Sequence, residues 1–196
     1  MTPTIHWLGA GLSSTPGILR LDAGPHRLIV WNRSLDKARR HLSELSEGIE
    51  IRQLDWQELG RTIAAGDVVV SMLPATKHLE VADLCLQQKA HFVSSSYISP
   101  EMAAQDDRAK SLGVSLVNEV GLDPGIDHLL AHSLIDHYKR SEQFSPGNQH
   151  EFRSFCGGFP KIPNEFKYKF SWSPLGVLKA LKSPAKWISG GEVRTS

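Results

Sequence analysis

Ile5-His6-Trp7-Leu8-Gly9-Ala10-Gly11-Leu12-Ser13-Ser14 is the stretch on which the fold turns. Ile5 to Leu8 reads as a short apolar strand that ends in Gly9-Ala10-Gly11, and a helix follows from about Ser14 to Leu21. The spacing fits G-x-G-x-x-small. The first glycine permits a tight turn. The second lets the backbone approach a pyrophosphate resting on the helix N-terminus, and Ser14 is small enough for close helix–strand packing. A lone GxG is a weak signal, because many strand-to-helix turns carry glycines for geometry alone. Its position at the head of a βαβ series makes this one a dinucleotide-binding turn.

That series continues down the chain. Arg27 to Trp31, Ile49 to Leu54, Val68 to Leu73, Phe92 to Ser95 and Val114 to Val117 read as further strands. Asp36 to Leu45, Trp56 to Ala64, Leu79 to Gln88 and Glu101 to Leu112 read as the helices between them. Strands separated by helices of this length imply right-handed crossovers and a parallel sheet, an α/β doubly wound domain of Rossmann type. Asn118-Glu119-Val120-Gly121-Leu122-Asp123-Pro124-Gly125-Ile126-Asp127-His128 follows the last strand. Asp123 fits an N-cap and Pro124 the first position of a helix running to Arg140. Carboxylates and a histidine thus gather where a strand hands over to a helix, the place where open α/β sheets bind ligands.

Beyond Arg140 the character changes. Ser141 to Gln149 is polar and turn-rich, and Phe152 to Cys156 is strand-like. Phe166, Tyr168, Phe170 and Trp172 alternate with Lys167, Lys169 and Ser171, which predicts a strand with one aromatic face that needs covering. Ser173 to Ser196 cannot supply a core, and a piece of roughly 40 to 50 residues is at the lower limit for independent folding. The expected division is residues 1–122 as the nucleotide-binding domain and 123–196 as a connecting helix and the incomplete start of an α/β substrate domain. A longer chain or another subunit, a homodimer included, would complete it.

The 196 residues are 40% hydrophobic with a net charge of +1, which gives no electrostatic reason to expect nucleic acid or membrane as partner. No segment reads as a membrane span, and the N-terminus lacks the pattern of a signal peptide. Cys85 and Cys156 form no CxxC pair and read as free thiols of a reducing, cytoplasmic setting.

The end of the second strand selects the cofactor. An acidic residue there would bond a ribose 2′-hydroxyl, but this chain has Asn32-Arg33-Ser34. Arg33 can pair with a 2′-phosphate, with Asn32 and Ser34 adding hydrogen bonds, and NADP is expected over NAD. The bland alternative makes Arg33 a solvated loop cation. Asp55 can lie beside the adenine or simply cap the Trp56 helix, and Pro74 is equally a strand terminator. His128 and His132 have a chelating spacing, but a solvated face explains them more simply, and no metal is expected.

Four segments resemble the saccharopine reductase family, the glutamate-forming saccharopine dehydrogenases of lysine metabolism. They are Ser94-Ser95-Ser96-Tyr97-Ile98-Ser99-Pro100, the Asn118 to His128 run, Cys156-Gly157-Gly158-Phe159-Pro160, and Tyr168-Lys169-Phe170-Ser171-Trp172-Ser173 with Gly176-Val177. The resemblance covers essentially the whole chain. It implies NADPH-dependent reduction of the imine between L-glutamate and 2-aminoadipate 6-semialdehyde, or the reverse. It places Gly9, Gly11, Leu12, Ser13 and Ser14 on the pyrophosphate and Asn32 to Ser34 on the 2′-phosphate. Asp55 and Trp56 would lie near the adenine. Leu73, Ser96, Tyr97, Leu122, Asp123, Pro124 and Ser173 would line the nicotinamide path, and Tyr97 and Asp123 would also face an amino-acid substrate. No residue is singled out as catalytic, since a protonated imine is already electrophilic.

Two departures qualify the resemblance. Family members continue well beyond the equivalent of Ser196, where an arginine for a substrate carboxylate would lie. Leu12-Ser13-Ser14 also stands where bulkier apolar residues are common. Related dehydrogenases for lysine or carboxynorspermidine-type substrates, and an inert NADP-binding fragment, are the alternatives.

Overall fold

The computed structural model describes residues 2–11, 13–42, 49–155, 157, 160–170, 174–182 and 184–196. Two compact units divide after Cys156. The first holds six strands: β1 (Ile5–Leu8), β2 (Leu28–Asn32), β3 (Glu50–Gln53), β4 (Val68–Ser71), β5 (His91–Ser94) and β6 (Leu116–Val117). They pair in parallel in the order β3-β2-β1-β4-β5-β6, with the reversal between β1 and β4. This is the doubly wound order that opens a ligand crevice at the carboxyl ends of the strands where the order reverses.

The helices between them are α1 (Thr15–Asp22), α2 (Leu35–His41), α3 (Trp56–Thr62), α4 (His78–Gln88), α5 (Pro100–Ala103) and α6 (Asp106–Leu112). Side-chain caps fix three of the starts: Ser34 accepts from the Lys37 N–H, Asp55 from the Glu58 N–H and Ser99 from the Met102 N–H. Successive strand residues point to opposite sheet faces, so one strand feeds two cores. Leu8, Ile29, Trp31 and Val69 pack with Leu59 and Val81 on one face. Trp7, Leu28 and Val30 pack with Ile18 and Ala38 on the other. Cys85 lies inside the first core, where burial pushes its thiol up to about 12, so it is a filler rather than a nucleophile.

At the amino end of the sheet, His6 is fully buried between Trp31 and Asp67. The indole N–H of Trp31 can only donate, so His6 Nδ1 accepts it at 3.2 Å. Nε2–H is then the donor to Asp67 at 3.1 Å. Protonating Nδ1 would set donor against donor. Burial lowers the His6 pKa below its ordinary 6.5, and the Asp67 carboxylate only partly opposes this. The folded state therefore prefers neutral His6. Its stabilisation is complete above the unfolded pKa and is lost as pH falls through 6.5 toward the lowered folded value. Melting temperature should drop as pH falls below about 6.5, and His6→Gln, which keeps an acceptor and a donor, should flatten that drop. His78, whose pKa is lowered in the same direction by burial, contributes to the residual slope. An unchanged slope in His6→Gln would refute the assignment.

The expected helix Glu101 to Leu112 is two helices, α5 and α6, because α5 already closes at Ala104, whose N–H donates to Pro100 O at 3.0 Å while Gln105 N–H donates to Met102 O at 3.1 Å. The helix after the sheet, α7 (Ile126–Lys139), begins later than Asp123. Asp123 is not its N-cap and Pro124 is not its first residue. Tertiary bonds claim this segment instead: Gly121 N–H donates to Pro124 O at 3.0 Å, and Ile126 N–H to Gly121 O at 2.9 Å. The Asp123–Pro124 peptide is cis. Leu129, Leu130 and Leu134 on α7 are exposed.

The second unit contains α8 (Pro174–Ala180) and a hairpin of β7 (Lys186–Ser189) and β8 (Glu192–Thr195). Two expected strands do not form among the described residues. Glu151 to Phe155 is irregular, and Phe166 to Phe170 is a turn followed by irregular chain, with Phe166 90% exposed. Alternation alone cannot make a strand without a neighbour to pair with. Cys156, Ser171 and Trp172 lie outside the described residues.

Candidate functional site

The glycine turn is held from several directions. Gly9 adopts φ +99°, and a Cβ there would stand 3.1 Å from Met72 O, so the turn packs on the end of β4 in a conformation only glycine takes easily. Trp7 Nε1 donates to Gly9 O at 3.0 Å. Ala10 N–H donates to Asn32 Oδ1 at 3.1 Å, and the Asn32 amide donates onward to Ser34 O at 2.7 Å. His41 Nδ1 bonds Ala10 O at 3.1 Å. Gly11 N–H donates to Ser14 Oγ at 3.3 Å, and Ser14 is buried. Close helix–strand packing is shared with Gly17, where a Cβ would meet the Trp7 ring at 2.6 Å.

What remains open is suited to an anion. A Cβ on Gly11 would meet nothing within 4 Å, so the backbone there can be approached closely. Ser13 N–H has no acceptor among the described residues. Arg33 is exposed, with no hydrogen-bond or ion-pair partner among them. Asn32 is committed to the turn and Ser34 to capping α2, so Arg33 is the group left free to meet a 2′-phosphate. The residues thus fit a phosphorylated dinucleotide. Leu12 and Ser173 lie outside the described residues.

Asp55 caps α3 through the Glu58 N–H at 2.8 Å. Trp56 borders a groove of about 550 Å³ with Thr76, Leu79 and Asp83, and Lys77 Nζ stands 5.7 Å from the Trp56 ring centre. Leu73, just past β4, lies against Gly9.

The second cluster forms where β5 and β6 end. Glu119 N–H donates to Ser96 O, and the Glu119 carboxylate accepts the Ile98 N–H at 3.2 Å. This ties the Ser94 to Ser99 loop to the turn before α7. Across that tie Tyr97 OH donates to Asp123 Oδ1 at 2.6 Å. The structure thereby brings together Ser96, Tyr97 and Asp123, with Leu122 and Pro124 flanking Asp123. The Asp123 bond, aided by Asp127 and Glu119, pushes the Tyr97 phenol up to about 12. Tyr97 is therefore a fixed hydrogen-bond donor at neutral pH, not an acid–base group. Asp127 accepts from Gly125 N–H and His128, which gives both a local role. Among the described residues no helix is long and apolar enough to cross a membrane.

Sequence reasoning missed His78. It is buried, with Nδ1 3.0 Å from Ser71 Oγ and Nε2 2.9 Å from Ser96 Oγ. Its sequence signal is slight: a histidine at the first position of a helix that follows a strand and a proline.

Residues 5–117 match the family model of the saccharopine dehydrogenase NADP binding domain, and residues 121–196 that of the saccharopine dehydrogenase C-terminal domain. The chain belongs to the saccharopine dehydrogenase family. The saccharopine dehydrogenase [NADP(+), L-glutamate-forming] of Pyricularia oryzae is 36% identical over 197 residues, covering 98% of this chain and 43% of that protein. The protein of the same name from Saccharomyces cerevisiae is 37% identical over 193 residues, covering 96% and 42%. An alpha-aminoadipic semialdehyde synthase from Arabidopsis thaliana is 36% identical, over 85% of this chain and 16% of its own. The apo structure of the yeast saccharopine dehydrogenase (L-Glu forming) superposes with a TM-score of 0.73 at 31% identity, over 98% of this chain and 44% of the other. A 3-ketoreductase from Actinomadura kijaniata in complex with NADP superposes at 0.52 with 19% identity, which speaks to the fold alone. The chain thus spans less than half the length of these saccharopine dehydrogenases. Its Rossmann-type α/β fold and its NADP cofactor agree with the family.

Proposed function

We propose that this chain supplies the NADP site and one wall of the amino-acid site of a glutamate-forming saccharopine dehydrogenase in lysine metabolism. Such an enzyme reduces the imine of L-glutamate and 2-aminoadipate 6-semialdehyde to saccharopine, or runs the reverse. The observation that carries the reading is the Tyr97–Asp123 bond at the carboxyl edge of the sheet. The phenol gives its one proton to Asp123, which holds that carboxylate with its second oxygen placed to pair with a substrate amine or iminium. The glycine turn holds the pyrophosphate, and Arg33 holds the 2′-phosphate. Asp55 and Trp56 flank the adenine. Leu73, Ser96, Tyr97, Leu122 and Pro124 screen the reacting carbon from water. NADPH supplies the hydride when bound.

In this reading the nucleotide domain ends at residue 122 and the substrate domain begins at 123, which the junction of the two family matches between residues 117 and 121 supports. A cytoplasmic enzyme with a small-molecule substrate, possible as a homodimer, belongs to the same reading. A second reading is favoured by the length comparison: this chain binds NADPH without turning over, because the remaining substrate contacts lie on chain it does not span. Fluorescence titration with NADPH and NADH separates these from failure. Preference for NADPH is expected, and absence of binding overturns both readings. NADPH oxidation that requires glutamate together with the semialdehyde establishes the first reading, and binding without turnover the second.

A further inference from the structure

We infer that His78 is a positioning residue that fixes the Ser96 hydroxyl as a hydrogen-bond donor facing the cofactor. The inference rests on the NADP reading of this cleft. Ser71, at the end of β4, is fully buried, and among the described residues its hydroxyl meets one partner, His78 Nδ1 at 3.0 Å. A buried hydroxyl proton left without an acceptor is costly. Ser71 O–H therefore donates, and Nδ1 is the acceptor. Neutral imidazole then carries its proton on Nε2, which donates to Ser96 Oγ at 2.9 Å. With that oxygen accepting, the remaining Ser96 proton is free to point away from His78.

Ser96 is half-buried, one residue from Tyr97, on the loop that the Glu119 N–H ties at Ser96 O. The outward proton is thus offered on the wall that carries the Tyr97–Asp123 pair, where an acceptor on the cofactor's ribose or carboxamide would take it. Phe92 seals the imidazole from one side with ring centres 6.0 Å apart. Burial keeps the ring neutral near physiological pH. The chain Ser71 to His78 to Ser96 links the ends of β4 and β5 and sets the polarity of a group it does not itself bring to the ligand.

Three measurements on the full chain test this. Nitrogen-15 spectra of the wild type should show the Nε2–H tautomer of His78 at neutral pH, and the Nδ1–H tautomer would overturn the proposal. NADPH titration should show His78→Leu weakened about tenfold, the worth of one buried hydrogen bond, with His78→Gln restoring most of it by keeping acceptor and donor. The decisive arm is the double variant. In a Ser96→Ala background, His78→Leu should cost no further affinity, whereas a purely structural His78 would add its loss independently. Additive losses, or unchanged NADPH affinity in His78→Leu, overturn the proposal while leaving NADP binding intact. Failure of the wild type to bind NADPH would overturn the cofactor reading itself and this role with it. Ser71→Ala covers the case in which His78→Leu does not fold: it removes the donor that sets the tautomer and should show a mixed tautomer population.

Discussion

Replacing Arg33 with alanine will weaken NADPH binding by about 10- to 100-fold and leave NADH binding nearly unchanged. The cation stands at the end of β2 with no protein partner among the described residues, so its full hydrogen-bonding capacity is available to a phosphate. A charge-assisted bond contributes roughly 1.5–3 kcal/mol, or about 10- to 150-fold in affinity, and Arg33 is exposed, which favours the lower part of that range. Asn32 and Ser34 will not substitute for it, because one clamps Ala10 and the other caps α2. Arg33→Lys should recover only part of the loss, since a point charge cannot repeat the forked contact of a guanidinium. The NADPH preference should also shrink as salt rises, because an exposed pair is screened. Equal losses for NADPH and NADH would assign Arg33 to the turn itself and remove the basis for its role in cofactor choice.

The parts of the molecule readable from sequence are those fixed by local rules. Gly9-Ala10-Gly11 lies between β1 and α1 as its spacing requires, and the apolar runs at Leu28 to Trp31 and Val68 to Ser71 became the inner strands of a parallel sheet. The misreadings share one cause. Asp123-Pro124 satisfies the local rule for a helix start, but bonds between Gly121, Pro124 and Ile126 place the start at Ile126. Phe166, Tyr168 and Phe170 satisfy the rule for a strand, but a strand exists only with a neighbour, and none pairs with them among the described residues. His78 was invisible for the same reason. Its partners lie 7 and 18 residues away and meet only after β4 and β5 align. Gly17 carries no motif of its own, and its value appears only with the Trp7 ring against it. Spacing located the glycine turn between β1 and α1, and the structure added the side chains that hold that turn in shape.

Gly125→Ala should be the most damaging glycine-to-alanine change among the described residues of the first unit. Gly125 sits at φ +144°, a conformation that L side chains rarely adopt, and a Cβ there would lie 2.3 Å from Gly121 O, 2.6 Å from Glu119 O and 2.7 Å from Gly121 N. All three are backbone atoms, so no rotamer change relieves the contact. Positive-φ strain of about 1–3 kcal/mol and overpacking of about 1–3 kcal/mol act together, and a loss on the order of 3 kcal/mol or more is expected. The turn must rebuild, and with it go the Ile126 N–H bond to Gly121 and the Gly125 N–H bond to Asp127. Asp123 is held within this turn, so its bond to Tyr97 fails as well. Denaturant unfolding should show the stability loss, and the phenol of Tyr97 should titrate below its native value of about 12. Gly147→Ala is the control, because a Cβ there meets nothing within 4 Å. A Gly125→Ala protein with wild-type stability and an unshifted tyrosine titration would show that the Tyr97–Asp123 pair does not depend on this turn.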